Sequence, residues 1–169
     1  SFLFESVADV LQKNPKTKFV LVGDGYLKAE LEKEAQKRNL DQQIIFVGLV
    51  EAEEIKNYYA AGDIFVYASK SETQGMIITE AMYMGLPIGA VKATGIESLV
   101  EENVNGFLTA EEKNKFIEAV QKLLDDAALR QKMSAESSRI AREKYTASAS
   151  AEKMLAVYAE AIEHKKQII

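Results

Sequence analysis

Short, continuous apolar runs alternate with longer amphipathic stretches along this chain. Phe2, Leu3, Val7, Val10 and Leu11 fall on one helical face over residues 2–13, and Asn14-Pro15 ends that helix. Phe19-Val20-Leu21-Val22, closed by Gly23, predicts a buried strand. Residues 27–39 carry alternating charges with Leu27, Leu31 and Ala35 on one stripe, which predicts a second helix. Ile44-Ile45-Phe46-Val47 before Gly48 reads as a second strand, 52–61 as a short helix, and Ile64-Phe65-Val66-Tyr67 as a third strand. Residues 77–85 form a helix closed by Gly85 and Pro87, and 88–91 a fourth strand. Beyond it the pattern predicts a short helix near 96–102 and an extended piece at Gly106-Phe107-Leu108. Helices are predicted near 112–125, 127–143 and 146–166.

The predicted strands are apolar throughout instead of alternating, which marks a parallel sheet covered on both faces. Strand-helix alternation at this spacing means βαβ units, so the expected fold is α/β with a Rossmann-like, doubly wound parallel sheet. In such sheets ligands bind beyond the carboxyl ends of the strands. The stretches to inspect are Gly23-Asp24-Gly25, Gly48-Leu49-Val50, 68–75 and 92–97. Neither an internal repeat nor a long Pro/Gly/Ser-rich stretch divides the chain, so residues 1–169 are expected to form one domain.

Composition removes several function classes. The 169 residues are 47% hydrophobic and 28% charged, the balance of a folded globular protein. No apolar run approaches the roughly 20 residues that cross a bilayer. Cysteine is absent, which excludes disulfides, thiol nucleophiles and thiolate metal sites, and fits a cytoplasmic protein. A net charge of −5 argues against nucleic acid as a partner, because binders of nucleic acid carry a basic surplus. The chain opens at Ser1 on a helix-like pattern with no signal peptide, and is expected to start inside a longer protein.

The richest chemistry lies between Ser69 and Met82, where a strand end passes through a polar loop into an apolar helix. Gly75 would let a ligand approach the backbone closely. The amides of Met76 and Ile77 would open the helix without partners, a ready site for a diphosphate. Glu72 in the loop could accept hydrogen bonds from hydroxyls, or favour the helix end through its dipole. Glu80 stands alone on a stretch otherwise uncharged from Met76 to Leu86. On a mostly buried helix such a carboxylate needs partners, and ribose hydroxyls would serve. A solvated glutamate on the helix side is the plainer alternative.

Glu72 and Glu80, with seven residues between them, resemble the Glu-x7-Glu signature of the family-four (group 1) retaining glycosyltransferases, which have the GT-B fold. Other motifs follow in order. Gly23-Asp24-Gly25-Tyr26-Leu27 resembles the family's Gly-Asp-Gly-Pro-Leu loop, with Tyr26 in place of proline. Phe46-Val47-Gly48-Leu49-Val50 resembles Phe-x-Gly-x-Val, and the stretch from Tyr58 to Val66 resembles Tyr-x-x-Ala-Asp-x-x-Val. Glu80 to Ile88 matches Glu-Ala-Met-x-x-Gly-x-Pro-Val, and Asn105-Gly106-Phe107-Leu108 matches a later Asn-Gly-Phe-Leu. Each motif is weak alone; the ordered set is specific.

The resemblance implies the C-terminal, donor-binding half of a GT-B enzyme. Glu72 would be the catalytic-site carboxylate on the donor sugar's hydroxyls, with Gln74, Gly75, Met76 and Ile77 holding sugar and diphosphate and Glu80 binding ribose. Gly23, Asp24, Gly25, Gly48 and Leu49 would line the nucleotide pocket. The implied substrate is a nucleoside diphosphate sugar, transferred with retention to an acceptor such as a glycolipid or polysaccharide precursor. Ser71-Glu72-Thr73-Gln74-Gly75 resembles the bacterial diacylglycerol glucosyltransferases, which implies UDP-glucose and a membrane-lipid acceptor. That would make the enzyme cytoplasmic, or peripheral on the inner face of the membrane through the missing N-terminal domain. The family's Arg and Lys that grip the diphosphate precede the first helix and are absent here, as is the acceptor domain.

Gly23-x-Gly25 does not open a dinucleotide fingerprint, because Lys28 holds the third glycine position. One histidine, His164, no cysteine and no Asp-x-Asp argue against a metal, so no metal or other cofactor is expected. His164 reads as exposed, Lys70 as a cation near the site, and the Met76, Met82 and Met84 group as core. The last helix would, by resemblance, pack towards the missing domain and leave an apolar patch here. Two functions stay open: a glycosyltransferase whose isolated fragment is inactive, and a non-catalytic Rossmann-like binding or interaction module.

Overall fold

A computed structural model describes residues 2–70 and 74–168 of the chain. Element order is α1 (Phe2–Lys13), β1 (Phe19–Val22), α2 (Lys28–Lys37), β2 (Ile44–Gly48), α3 (Ala52–Ala60), β3 (Phe65–Tyr67), α4 (Met76–Tyr83), β4 (Ile88–Val91), β5 (Gly106–Thr109), α5 (Lys113–Asp125), α6 (Ala127–Lys144) and α7 (Ala147–Ile168). Every ladder is parallel, as the apolar strands predict. The ladders form two sheets, β1-β2 and β3-β4-β5. The extended piece at Gly106 is the outer strand of the second sheet, where Ile88 faces Gly106 and Val91 faces Thr109. Gly106 is there for space, since a Cβ at that position would stand 2.1 Å from the Ile88 carbonyl oxygen.

One apolar cluster joins both sheets through the helices between them. Phe4, Val7, Val10 and Leu11 of α1 meet Ala35 and Leu40 near α2, Ile44 of β2, Val91 of β4, and Phe116 and Val120 of α5. A second cluster packs Ile78, Ala81 and Met82 of α4 against Ile88 and Ala90 of β4, Ile96 and Val100, and Ile140 and Ala141 of α6. Helix ends follow their sequences. Asn39, at φ 57°, closes α2, with Leu40 N–H donating to Ala35 O at 2.8 Å and Asn39 N–H to Gln36 O at 2.9 Å. Asp126 caps α6 by accepting from Leu129 N–H at 2.8 Å.

Three expectations need correction. Residues 94–99 are hydrogen-bonded turns, not a helix. Gly95 sits at φ 87°, and the bonds Ile96 N–H to Ala93 O and Leu99 N–H to Ile96 O span three residues each. Burial of Ile96, Leu99 and Val100 then locks the segment over the end of β4. Second, among the described residues only β4 is a strand buried along its whole length. In the β1-β2 sheet the alternate residues Val20, Val22 and Ile45 are more than 40% exposed, so α1 and α2 cover one face and the other stays open. An apolar run cannot distinguish the two cases. Third, Met82 is core, but Met76 and Met84 lie at the surface.

Helix α7 exposes Met154, Leu155, Val157, Tyr158 and Ile162, the apolar patch that the resemblance implies, and His164 is exposed on the same helix. Among the described residues, no helix is long and apolar enough to cross a membrane.

Candidate functional site

The loop before α4 turns on Gly75, whose backbone is left-handed at φ 62°, ψ 32°. That conformation costs any residue with a Cβ, and space forbids one as well. A Cβ on Gly75 would lie 2.5 Å from Leu99 Cδ1 and 3.4 Å from the Gly95 carbonyl oxygen. The turn after β4 therefore packs directly against the start of α4. The Gly75 carbonyl accepts from Ile78 N–H at 2.9 Å and Thr79 N–H at 3.1 Å, which begins the helix. The amides of Met76 and Ile77 precede those bonds and point out of the helix end. Met76 and Gln74 are exposed beside them. An anion placed here would meet two N–H donors and the positive end of the helix dipole. Glu72 lies outside the described residues, as do Ser71 and Thr73.

Glu80 stands one turn into α4. It is exposed, so the expectation that burial would demand a partner is corrected. Its neighbours Ile78, Ala81 and Met82 are the buried ones, and the helix turns Glu80 outward between them. It has a partner all the same. The Tyr59 hydroxyl donates to Glu80 Oε2 at 3.1 Å, with the Ile77 carbonyl at 3.4 Å. Burial, and after it the adjacent Glu80 carboxylate, push the Tyr59 phenol well above its ordinary range, so it remains a neutral O–H donor. Glu80 also lines a shallow cleft of about 370 Å³ with Met76, Tyr83, Ala141 and Tyr145 among its walls.

The remaining site residues gather at the carboxyl end of the first sheet. Gly23 N–H donates to Gly48 O at 2.8 Å, which sets the two loops side by side. Asp24 Oδ1 accepts from Gly25 N–H at 2.7 Å and holds that loop in a tight turn. Leu49 is 80% exposed and Tyr26 is 95% exposed at this edge. A Cβ on Gly48 would lie 3.4 Å from Lys28 Nζ, so a cation hangs over this end of β2. In the sequence Lys28 stands out only as the residue at the fingerprint's third glycine position, and Tyr59 only as part of the Tyr58–Val66 stretch. Tyr59 meets Glu80 across 21 residues and two elements, which no local pattern discloses. Lys70 pairs with Glu111 at 2.8 Å.

The fold and this helix end define a class: a Rossmann-like α/β domain, one half of a GT-B fold. Residues 1–139 match the family model for glycosyl transferases group 1, and the chain belongs to that family. It is 28% identical over 160 residues to an alpha-D-kanosaminyltransferase of Streptomyces kanamyceticus, covering 94% of this chain and 42% of that protein. It is 36% identical over 101 residues to an alpha-monoglucosyldiacylglycerol synthase of Streptococcus pneumoniae, covering 60% of this chain and 23% of that one. Among solved structures, Anabaena HepE in complex with UDP and glucose superposes with a TM-score of 0.81 at 26% identity, over 94% of this chain and 44% of that one. The chain thus spans less than half the length of these relatives.

Proposed function

We propose that this chain is the donor-binding domain of a retaining glycosyltransferase that takes its sugar from a nucleoside diphosphate sugar. The carrying observation is the Gly75 turn, which frees the Met76 and Ile77 amides at the start of α4 and sets Glu80 one turn further along. Those amides suit a diphosphate. As the bond from sugar to diphosphate breaks, negative charge grows on the departing oxygen, and preorganised N–H dipoles stabilise it without reorientation. Glu80 would accept from the ribose hydroxyls, and Glu72 from hydroxyls of the sugar. Gln74 would border the sugar and diphosphate. Gly23, Asp24, Gly25, Gly48 and Leu49 would receive the base. UDP is the favoured nucleotide, on the strength of the UDP held by Anabaena HepE.

The likeness to an alpha-monoglucosyldiacylglycerol synthase supports a glycolipid acceptor, and the UDP and glucose held by Anabaena HepE support UDP-glucose as donor; a polysaccharide precursor is the second acceptor class. The acceptor would bind the other half of the enzyme. A domain of net charge −5 is repelled by an anionic leaflet, so contact with the inner face of the membrane would also fall to that half.

The test is a calorimetric titration of this chain and of the full-length protein with UDP, GDP, ADP and UDP-glucose, with and without Glu80→Ala. One nucleotide should bind, and losing Glu80 should weaken it by about 1–3 kcal/mol. Unchanged affinity in the variant would overturn Glu80's role. Affinity that survives loss of both Glu72 and Glu80 would point to a binding module without transferase chemistry.

A further inference from the structure

We infer that Tyr59 is a positioning residue for Glu80, holding the carboxylate in the one orientation that leaves its free oxygen for a vicinal diol. The inference rests on the reading of Glu80 as the ribose acceptor. Helix α3 fully buries none of its residues, yet Tyr59 is turned inward from its last turn. Its ring packs on Phe65 at 5.8 Å between centroids, and Phe65 stacks on Tyr67 at 6.1 Å. The same ring lies against the cluster that holds Ile78, Ala81 and Met82. With only two side-chain torsions, a tyrosine anchored in this way presents its hydroxyl at a fixed point.

Glu80 is the opposite case: an exposed glutamate with three torsions, free to sample many rotamers without a partner. The Tyr59 hydroxyl has a single proton, and the carboxylate oxygen at 3.1 Å is nearer than the Ile77 carbonyl at 3.4 Å. Donation to Oε2 leaves Oε1 and a second lone pair on Oε2 to accept. Glu34, Glu136 and Glu143 are each met by an arginine here. Glu80's partner is a neutral phenol, so its charge is kept for another donor. Two adjacent hydroxyls are the ligand chemistry that such a carboxylate fits.

The experiment compares ribo- and 2′-deoxyribonucleoside diphosphates on four versions of this chain: wild type, Tyr59→Phe, Glu80→Ala and the double variant. The probe is whichever of UDP, GDP and ADP binds tightest, with its 2′-deoxy counterpart, titrated by calorimetry. Tyr59→Phe keeps the ring and its packing and removes only the donor, and thermal melting of each variant confirms that the fold is intact. Wild type should prefer the ribonucleotide by roughly tenfold, and Glu80→Ala should abolish the preference. Tyr59→Phe should cut it by about threefold or more while leaving the deoxy affinity within about twofold. In the Glu80→Ala background Tyr59→Phe should change neither. A full ribose preference in Tyr59→Phe overturns the inference, as does an equal loss for both ligands that persists without Glu80, the mark of a merely structural role. A preference that survives Glu80→Ala, or no binding by any of the three nucleotides even to the full-length protein, instead removes the reading of Glu80 on which the inference stands.

Discussion

Replacing Gly75 by alanine tests the site's architecture with two separable costs. At φ 62° the added Cβ places an L-residue in the left-handed region, worth roughly 1–2 kcal/mol. The same Cβ would stand 2.5 Å from Leu99 Cδ1, and Leu99 is itself 5% exposed among Ile96, Val100 and Ile78. Moving a packed leucine out of its rotamer costs about 1–3 kcal/mol more. The sum, about 2–5 kcal/mol, should lower Tm by roughly 5–15 °C in a domain of this size. Urea denaturation should show it as a reduced midpoint with an unchanged slope. The two parts separate in a Leu99→Ala background. Leu99→Ala alone costs about 2–5 kcal/mol as a cavity, but it removes the obstacle, so Gly75→Ala should then cost only the backbone share of roughly 1–2 kcal/mol. Melting of Gly75→Ala within about 1 °C of wild type would refute the reasoning about this turn. An identical cost in both backgrounds would refute the steric half of it.

Two further outcomes are expected. Phe116, fully buried between α1 and the sheets and edge-on to Phe2 at 5.6 Å, should cost about 3–5 kcal/mol on replacement by alanine, read as a fall in urea midpoint; a loss below about 1 kcal/mol would contradict its place in the core. If donor binding needs no metal, EDTA should leave nucleotide affinity unchanged in the calorimeter, and a tenfold loss would show that a cation takes part.

Much of this protein was legible before folding. Strand and helix positions follow from the period of the apolar residues, and the parallel class follows from runs such as Ile88–Val91 that have no polar face. The motif around Gly75 is likewise local, because a glycine turn, a polar loop and an apolar helix are neighbours in sequence. What was not legible depends on which faces the fold covers. Val20, Val22 and Ile45 are as apolar as the residues of β4, yet they stay exposed because α1 and α2 lie on only one side of their sheet. Ile96 and Leu99 read as a helix, but Gly95 and the packing of Leu99 against Gly75 made them turns. Glu80 read as a carboxylate on a buried helix; the helix rotation turned it outward, and the hydroxyl that holds it arrived from Tyr59 on another element. Local sequence settles backbone preference because its causes act within a few residues. Coverage and partnership are settled by tertiary packing, which brings together groups that have no sequence relation to one another.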